Sequence, residues 1–257
     1  MPNPNVNRKV TLYKPYVSLL LASWYNSLTV KPSVNLLLAL NILVDTLDRD
    51  GIWSELDLFH TVGGMETDEQ ILRPLKSTAG VDFTAVNSPT LDSTGVTGSA
   101  GTGAYVMLNW DPFNNGVKWT QNSASFGTYC RTNTAETVSN MGSSASFDST
   151  RRVGDNFIWR INDVGSSSAA NTSSLGFSHV RRTASGATEV YMNAVSKGTG
   201  TVASAGLDGT DFTLCRHSGS TISSRNLSAL FAGSSSVDPT TFYARIQTFM
   251  TTRGINV

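Results

Sequence analysis

The sequence predicts an all-β sandwich with an N-terminal arm, one buried helix and a C-terminal docking helix. Three observations carry that prediction. Ser, Thr, Gly and Asn supply 104 of 257 residues, a surface chemistry suited to a β shell with many turns. From Trp53 onward the chain breaks into short runs, among them VDFTAV, AYVMLNW, SFGTYCR, NFIWRIN, LGFSHVRR, TEVYMNAV, TDFTLCRH and NLSALFAG. Each is bounded by Gly, Ser, Asn or Asp clusters, which is the pattern of a sandwich or barrel.

Alternation assigns the faces of these runs. In NFIWRIN, Phe157, Trp159 and Ile161 share one face, with Ile158 and Arg160 on the other. In TDFTLCRH, Phe212 and Leu214 point one way and Thr213, Cys215 and His217 the other. WSELDLFHTVGG reads as a further strand, and ETDEQILRPLK as a short helical link that Pro74 ends.

Two helices flank this region. Over residues 33 to 48, Ser33 caps and Asp50-Gly51 stops. That helix is apolar nearly all round, through Leu36, Leu37, Leu38, Leu40, Ile42, Leu43 and Val44. It is therefore expected to be covered on more than one side. At the other end of the chain Asp238 caps, Pro239 takes the first helical position and Gly254 closes. Phe242, Ile246, Phe249 and Met250 form its apolar stripe.

Residues 1 to 31 read as an arm, and residues 32 to 257 as the sandwich domain. Tyr13, Tyr16, Leu19, Leu20, Trp24 and Tyr25 give the arm much apolar surface. Either it packs back on the domain or it docks on a neighbouring subunit. On the second reading, removal of residues 1 to 31 leaves a folded sandwich that no longer assembles.

Charge and cysteine content narrow the function. The chain has 19 basic and 19 acidic residues, only 15% of its length together with a net charge of zero. That balance argues against a nucleic-acid binder relying on phosphate contacts. It also gives little electrostatic protection against self-association. Cys130 and Cys215 both fall in strand-like runs and are expected to be buried, reduced thiols. No run is long enough to span a bilayer, and no signal peptide is visible, so synthesis in a cytoplasm and no membrane insertion are expected.

The motifs of catalysis are missing, and no enzyme activity or cofactor is expected. Glycoside hydrolysis needs two carboxylates across the scissile bond. Glu55 and Asp57 share a strand face, while Glu66, Asp68 and Glu69 lie in a turn; all read as solvated or capping groups. His60, His179 and His217 have no metal-ligand spacing. Gly165-Ser166-Ser167-Ser168 is not a nucleophile elbow. What remains is aromatic rings beside arginines, a chemistry that stacks on sugars and bonds their hydroxyls. Trp110, Trp119, Tyr129, Arg131, Arg160 and Arg181 are the candidate glycan-binding residues, with Tyr191 and Arg216 beside them.

Several segments together resemble a known family. They are PSVNLLLALNILVDTLDRDGIWSELDLFHTV, LKSTAGVDFTAVNSPTLDSTGVTGS, NSASFGTYCRTNT and NLSALFAGSSSVDPTTFYARIQTFMTTRGINV. The shared signs are Gly51-Ile52-Trp53, Asn87-Ser88-Pro89, Gln121-Asn122-Ser123-Ala124, Tyr129 with Arg131, and the final helix. Across residues 32 to 257 the chain is similar to phage-encoded, concanavalin A-like (LamG or legume-lectin-like) jelly-roll virion proteins. The resemblance implies a head fibre, tail fibre or capsid decoration located in the virion. It implies a homo-oligomer, expected to be a trimer, with other virion proteins as partners through the arm. A lectin module or adhesin for host surface glycans is the alternative.

Overall fold

The computed structural model describes residues 16–217, Gly219 and residues 221–257. Two antiparallel sheets face each other. The first runs, edge to edge, Val195–Gly200, Ala187–Met192, Gly176–Ala184, Ala124–Cys130, Asn226–Gly233, Leu56–His60 and Lys76–Ser77. Thr90–Asp92 and Gly95–Thr97 join it beside Asn226–Gly233. The second runs Ser167–Ala170, Asn156–Arg160, Phe147–Arg152, Met141–Gly142, Thr213–Leu214, Tyr105–Met107 and Thr84–Val86. The fold is the expected all-β sandwich.

Between the sheets the core has two chemistries. One part is aromatic: Trp110, Trp119, Phe126 and Phe212 pack edge-on or tilted with centroids 5.5 to 5.8 Å apart. Another is polar, where Thr128 and Ser178 of the first sheet meet Asp148 of the second. Within the first sheet two neighbouring strands approach so closely at Gly127 that an added Cβ would sit 1.9 Å from the Ser178 carbonyl oxygen. Only glycine fits that position.

The outer face of the first sheet is closed by helices. Phe242 of the Pro239–Thr252 helix packs on Phe59, Phe177 and Phe231 at 5.8, 5.2 and 4.8 Å. The Asp238 carboxylate accepts the Thr241 N–H and caps it. The Val34–Arg49 helix packs alongside, and the Ser33 hydroxyl accepts the Leu36 N–H. One face of that helix departs from expectation. Leu36, Leu37, Leu40, Leu43, Val44 and Leu47 are buried, but Val34, Leu38 and Ile42 are 66%, 57% and 52% exposed.

Residues 17 to 31 belong to the packed body. Leu21, Trp24 and Leu28 join the hydrophobic core. Ser18 donates its N–H to Asn41 Oδ1 at 2.9 Å and its hydroxyl to Asp45 at 2.6 Å. Trp24 Nε1 donates to the Arg73 carbonyl at 3.0 Å. Leu20 and Tyr25 are half-buried against the core, whereas Tyr16 and Leu19 stay exposed. Tyr13 lies outside the described residues. Removing residues 17 to 31 would strip Leu21, Trp24 and Leu28 from the core, which fits the reading in which the arm packs back on the domain rather than the one in which truncation leaves a folded sandwich.

Two strand readings also change. Ile52–Glu55 forms a helical turn before the Leu56–His60 strand, because Gly51 turns the chain in the left-handed region and both Ile52 and Trp53 are buried. In TDFTLCRH only Thr213 and Leu214 are strand. Cys215 takes a φ of 70°, which ends the alternation, and it is buried as expected.

Candidate functional site

The six residues expected to form a glycan-binding face do not converge. Trp110 and Trp119 are core residues at 0% and 1% exposure. Their indole N–H groups are used internally, donating to Thr78 Oγ1 and Asn162 Oδ1 at 2.9 Å each. Tyr129 is buried against the C-terminal helix; its hydroxyl donates to Gln247 Oε1 and accepts the Val257 N–H. Arg131 Nε donates to the Ile255 carbonyl at 2.8 Å. These four hold the fold and offer no ring to a ligand. Arg181 lies on the first sheet, with Nε on Glu189 at 2.7 Å and Nη2 on the Tyr191 hydroxyl at 3.1 Å. Arg160 alone of the six stands on the open outer face of the second sheet.

That face carries a compact basic cluster. Phe157, Trp159 and Ile161 point into the core and are buried, so Ile158 and Arg160 project outward. Phe147 lies directly opposite Arg160 on the next strand, and Arg152 opposite Asn156. Directly paired residues share a face. The Arg160 guanidinium sits 5.2 Å from the Phe147 ring centroid. The His217 imidazole stacks on the same Phe147 ring at 4.4 Å and 20°, and Arg216 covers Tyr105 at 4.1 Å. Burial, then the charges of Arg160, Arg152 and Arg216, hold the His217 imidazole below its ordinary pKa.

Anionic compensation here is sparse. Arg160 lies 3.9 Å from Asp163, yet that carboxylate is already held by the buried Arg182 at 2.8 Å. Among the described residues Arg152 and Arg216 have no ion-pair partner. Phe147 itself is buried beneath the Arg160 guanidinium and the His217 ring, so what this face offers a ligand is planar guanidinium groups, which match a carboxylate or sulfate. Arg160 and Arg216 are among the residues the sequence analysis singles out; Arg152, Phe147 and His217 are not among its glycan-binding candidates. The outward parity of Arg160 in NFIWRIN is the signal the sequence carries for this face, and the pairing of Arg160 with Phe147 is visible only in the structure.

A second concave region lies at the first sheet's edge. Its volume is about 780 Å³, and Leu20, Trp24, Trp53, Arg73, Lys76 and Asp82 are among its walls. Its charges are engaged. Arg73 binds Asp82 at 2.8 Å, and Lys76 Nζ donates to the Trp53 carbonyl while sitting 5.3 Å over the Trp53 ring. Burial pushes the Lys76 ammonium below its ordinary pKa.

The remaining titratable groups are structural. Asp57 is fully buried and accepts the N–H groups of Val117, Lys118 and Trp119. Glu66 accepts the Ser33 N–H, and Glu69 those of Thr29 and Val30. Asp57, Glu66 and Glu69 thus act as capping groups, while Glu55 accepts the Ser234 hydroxyl and lies 3.9 Å from Lys118. His60 and His179 are buried, and burial depresses their pKa values to about 4 and about 3. Cys130 and Cys215 are free and buried, with thiols pushed up to about 11 and about 12. Among the described residues no group of three or more His, Cys, Asp or Glu side chains is placed to hold a metal ion. No helix there is long and apolar enough to cross a membrane.

No family model and no curated protein sequence matches the chain. Solved structures do. The binding domain of botulinum neurotoxin serotype D superimposes with a TM-score of 0.53 at 11% identity, over 77% of this chain and 52% of that one. A mutant of Trypanosoma rangeli sialidase displaying trans-sialidase activity gives 0.53 at 11% identity, over 82% and 39%. Trypanosoma rangeli sialidase with a difluorinated nononic acid gives 0.50 at 14%, over 75% and 33%. The chain spans about half the length of the toxin domain and a third or more of the sialidases. At such identities the likeness is one of fold: this chain shares the β-sandwich architecture found in those proteins.

Proposed function

We propose that the chain is a non-enzymatic bacteriophage virion protein, a head fibre, tail fibre or capsid decoration, that displays a lectin-type sandwich. The observation that carries this reading is the asymmetry of the sandwich. One sheet is closed by the chain's own helices, and the other presents an open face, as suits a displayed module. The resemblance to phage jelly-roll proteins read from the sequence segments across residues 32 to 257 suggests the setting. Mass spectrometry of purified particles is the test. Stoichiometric recovery of the chain supports the reading, and its absence from intact particles overturns it. Release of oligosaccharide from host glycans by the pure chain would overturn the non-enzymatic part.

A host-receptor adhesin is the second reading, favoured by the Arg152, Arg160 and Arg216 cluster around the Phe147–His217 stack. The receptor is then an acidic glycan bearing carboxylate or sulfate. Binding measured by calorimetry falls with salt, and neutral glycans of the same backbone fail to bind. Loss of one charge-assisted contact in Arg160→Ala or Arg152→Ala weakens affinity by roughly tenfold or more. Equal affinity for acidic and neutral glycans sinks it.

A further inference from the structure

We infer that anion binding at the open basic face is proton-linked: His217 takes up a proton from solvent as an acidic ligand seats, so the face holds that ligand more tightly as the pH falls. The inference rests on the adhesin reading of the same face and adds its regulation. The His217 ring stacks on Phe147 at 4.4 Å, and the Arg160 guanidinium lies 5.2 Å from the same Phe147 ring. Arg216 precedes His217 in the chain, and Arg152 ends the strand that carries Phe147. Burial disfavours the charged imidazole, and the charges that act on it, those of Arg160, Arg152 and Arg216, disfavour it too. The carboxylates of the surrounding segments are held elsewhere. Arg182 binds Asp163 at 2.8 Å, and Asp155 pairs with Arg151 at 2.8 Å. Asp208 accepts the Ser144 hydroxyl and the Ala145 N–H, Glu136 accepts the Ser223 and Ser224 hydroxyls, and Asp148 turns inward to Ser178. Tyr105 lies under Arg216 at 4.1 Å.

An anion seated among those guanidinium groups reverses the sign of the field at the ring, and so favours the imidazolium that the empty face disfavours. Proton uptake leaves no bond broken at Nδ1. That atom meets the Ser139 hydroxyl at 2.9 Å, a group that donates to a neutral ring nitrogen and accepts from a protonated one. Coupling of two ligands is reciprocal: the factor by which the anion raises proton affinity is the factor by which the proton raises anion affinity. The sign follows. Well above the pKa of the bound state, affinity does not change with pH. It rises as pH falls between the bound and unliganded values, and levels off below both. Because the unliganded ring is held below 6.5, the full gain is reached only in the acid range.

The test is calorimetry on the full chain with two probes, a hyaluronan hexasaccharide bearing carboxylates and a heparin hexasaccharide bearing sulfates as well. Neither changes charge between about pH 5.5 and pH 8. At least one is expected to bind about fivefold or more tightly at the lower pH. At about pH 6.5, two buffers of different ionisation enthalpy should reveal uptake of a fraction of a proton on binding. His217→Gln keeps a hydrogen-bonding group for Ser139 and cannot protonate, so its affinity should not change with pH. Ring-proton NMR of the parent gives a second measurement. The chain has three histidines, and His60 and His179 titrate only at about 4 and about 3. The remaining ring, His217, should have its midpoint raised by about 0.7 pH unit when the binding probe is added, the fivefold factor on a logarithmic scale. Binding with equal affinity at both pH values, or a pH dependence that survives in His217→Gln, overturns the inference and leaves the adhesin reading standing. A His217 midpoint that bound probe leaves in place does the same. Failure of both probes to bind at either pH overturns the two together.

Discussion

The Ser178 hydroxyl donates to Asp148 Oδ2 at 2.8 Å, joining the two sheets through a buried carboxylate. Thr128 bonds the same oxygen at 3.4 Å, and the Met141 N–H donates to the other at 3.1 Å. Around it Asn140 donates to Thr128 and Thr150 and accepts from the buried Arg225 at 2.6 Å. A polar seam of this kind is tolerated only because its members are partnered.

Asp148 makes the first prediction. Burial raises its carboxyl to about 6 against an ordinary 3.8. Between those values the folded chain holds a proton that the unfolded chain has lost. Its contribution to stability is thus fullest below pH 4 and is lost as pH rises through about 6, a change of about 3 kcal/mol. Asp148→Asn keeps an acceptor for Met141 and removes the titration. Denaturant unfolding should find this variant more stable than the parent by up to that amount above about pH 7, with the advantage vanishing near pH 4. An advantage that does not change with pH would contradict the assignment.

His179 works in the opposite direction. Its ring is enclosed by Phe177, Phe231 and Tyr191, and neither nitrogen has a hydrogen-bond partner among the described residues. Burial, with Arg181 second, lowers its pKa from 6.5 to about 3. Below 6.5 the unfolded chain takes up a proton that the folded chain refuses. The stability it contributes is therefore present above 6.5 and is lost as pH falls toward about 3, with about 2 kcal/mol gone by pH 5. His179→Leu fills similar space without nitrogens to satisfy. Its unfolding free energy should fall less than the parent's between about pH 7 and pH 5 by about that amount. Parallel pH profiles for the two proteins would rule the account out.

The same polar seam explains what was legible beforehand. Elements with an apolar signature and a cap were read to within a residue or two: the helix after Ser33, the helix after Asp238, and the Asn226–Gly233 strand. The inward set Phe157, Trp159 and Ile161 was read correctly because its alternation is apolar. FDSTRR is a strand that went unread, since the residues it turns inward are Asp148 and Thr150. Inward polar groups look like surface when the partners Ser178 and Thr128 are far away in sequence. Trp110 and Trp119 failed for the converse reason. A tryptophan beside turn residues has the same composition in a groove or in a core, and only the assembled aromatic cluster decides.

Arg182 supplies the last prediction, and it bears on the open face. Its guanidinium is fully buried. It donates to the carbonyls of Ile161, Ala184, Ser185 and Val202 and binds Asp163 at 2.8 Å. A lysine has one ammonium and no fork, so it cannot span those acceptors. Arg182→Lys should cost about 3 to 5 kcal/mol in urea unfolding, the range for breaking a buried charged network. Arg160→Lys, on the outer face, should stay within about 0.5 kcal/mol of the parent. The two arginines are linked by Asp163, which lies 3.9 Å from Arg160. While Arg182 holds that carboxylate, Arg160 keeps most of its charge for a ligand. Loss of Arg182 frees Asp163 to turn on Arg160, so binding of an acidic glycan should weaken in Arg182→Lys even where the variant remains folded. Similar unfolding costs for the two substitutions would show that Arg182 is not the buried hub described.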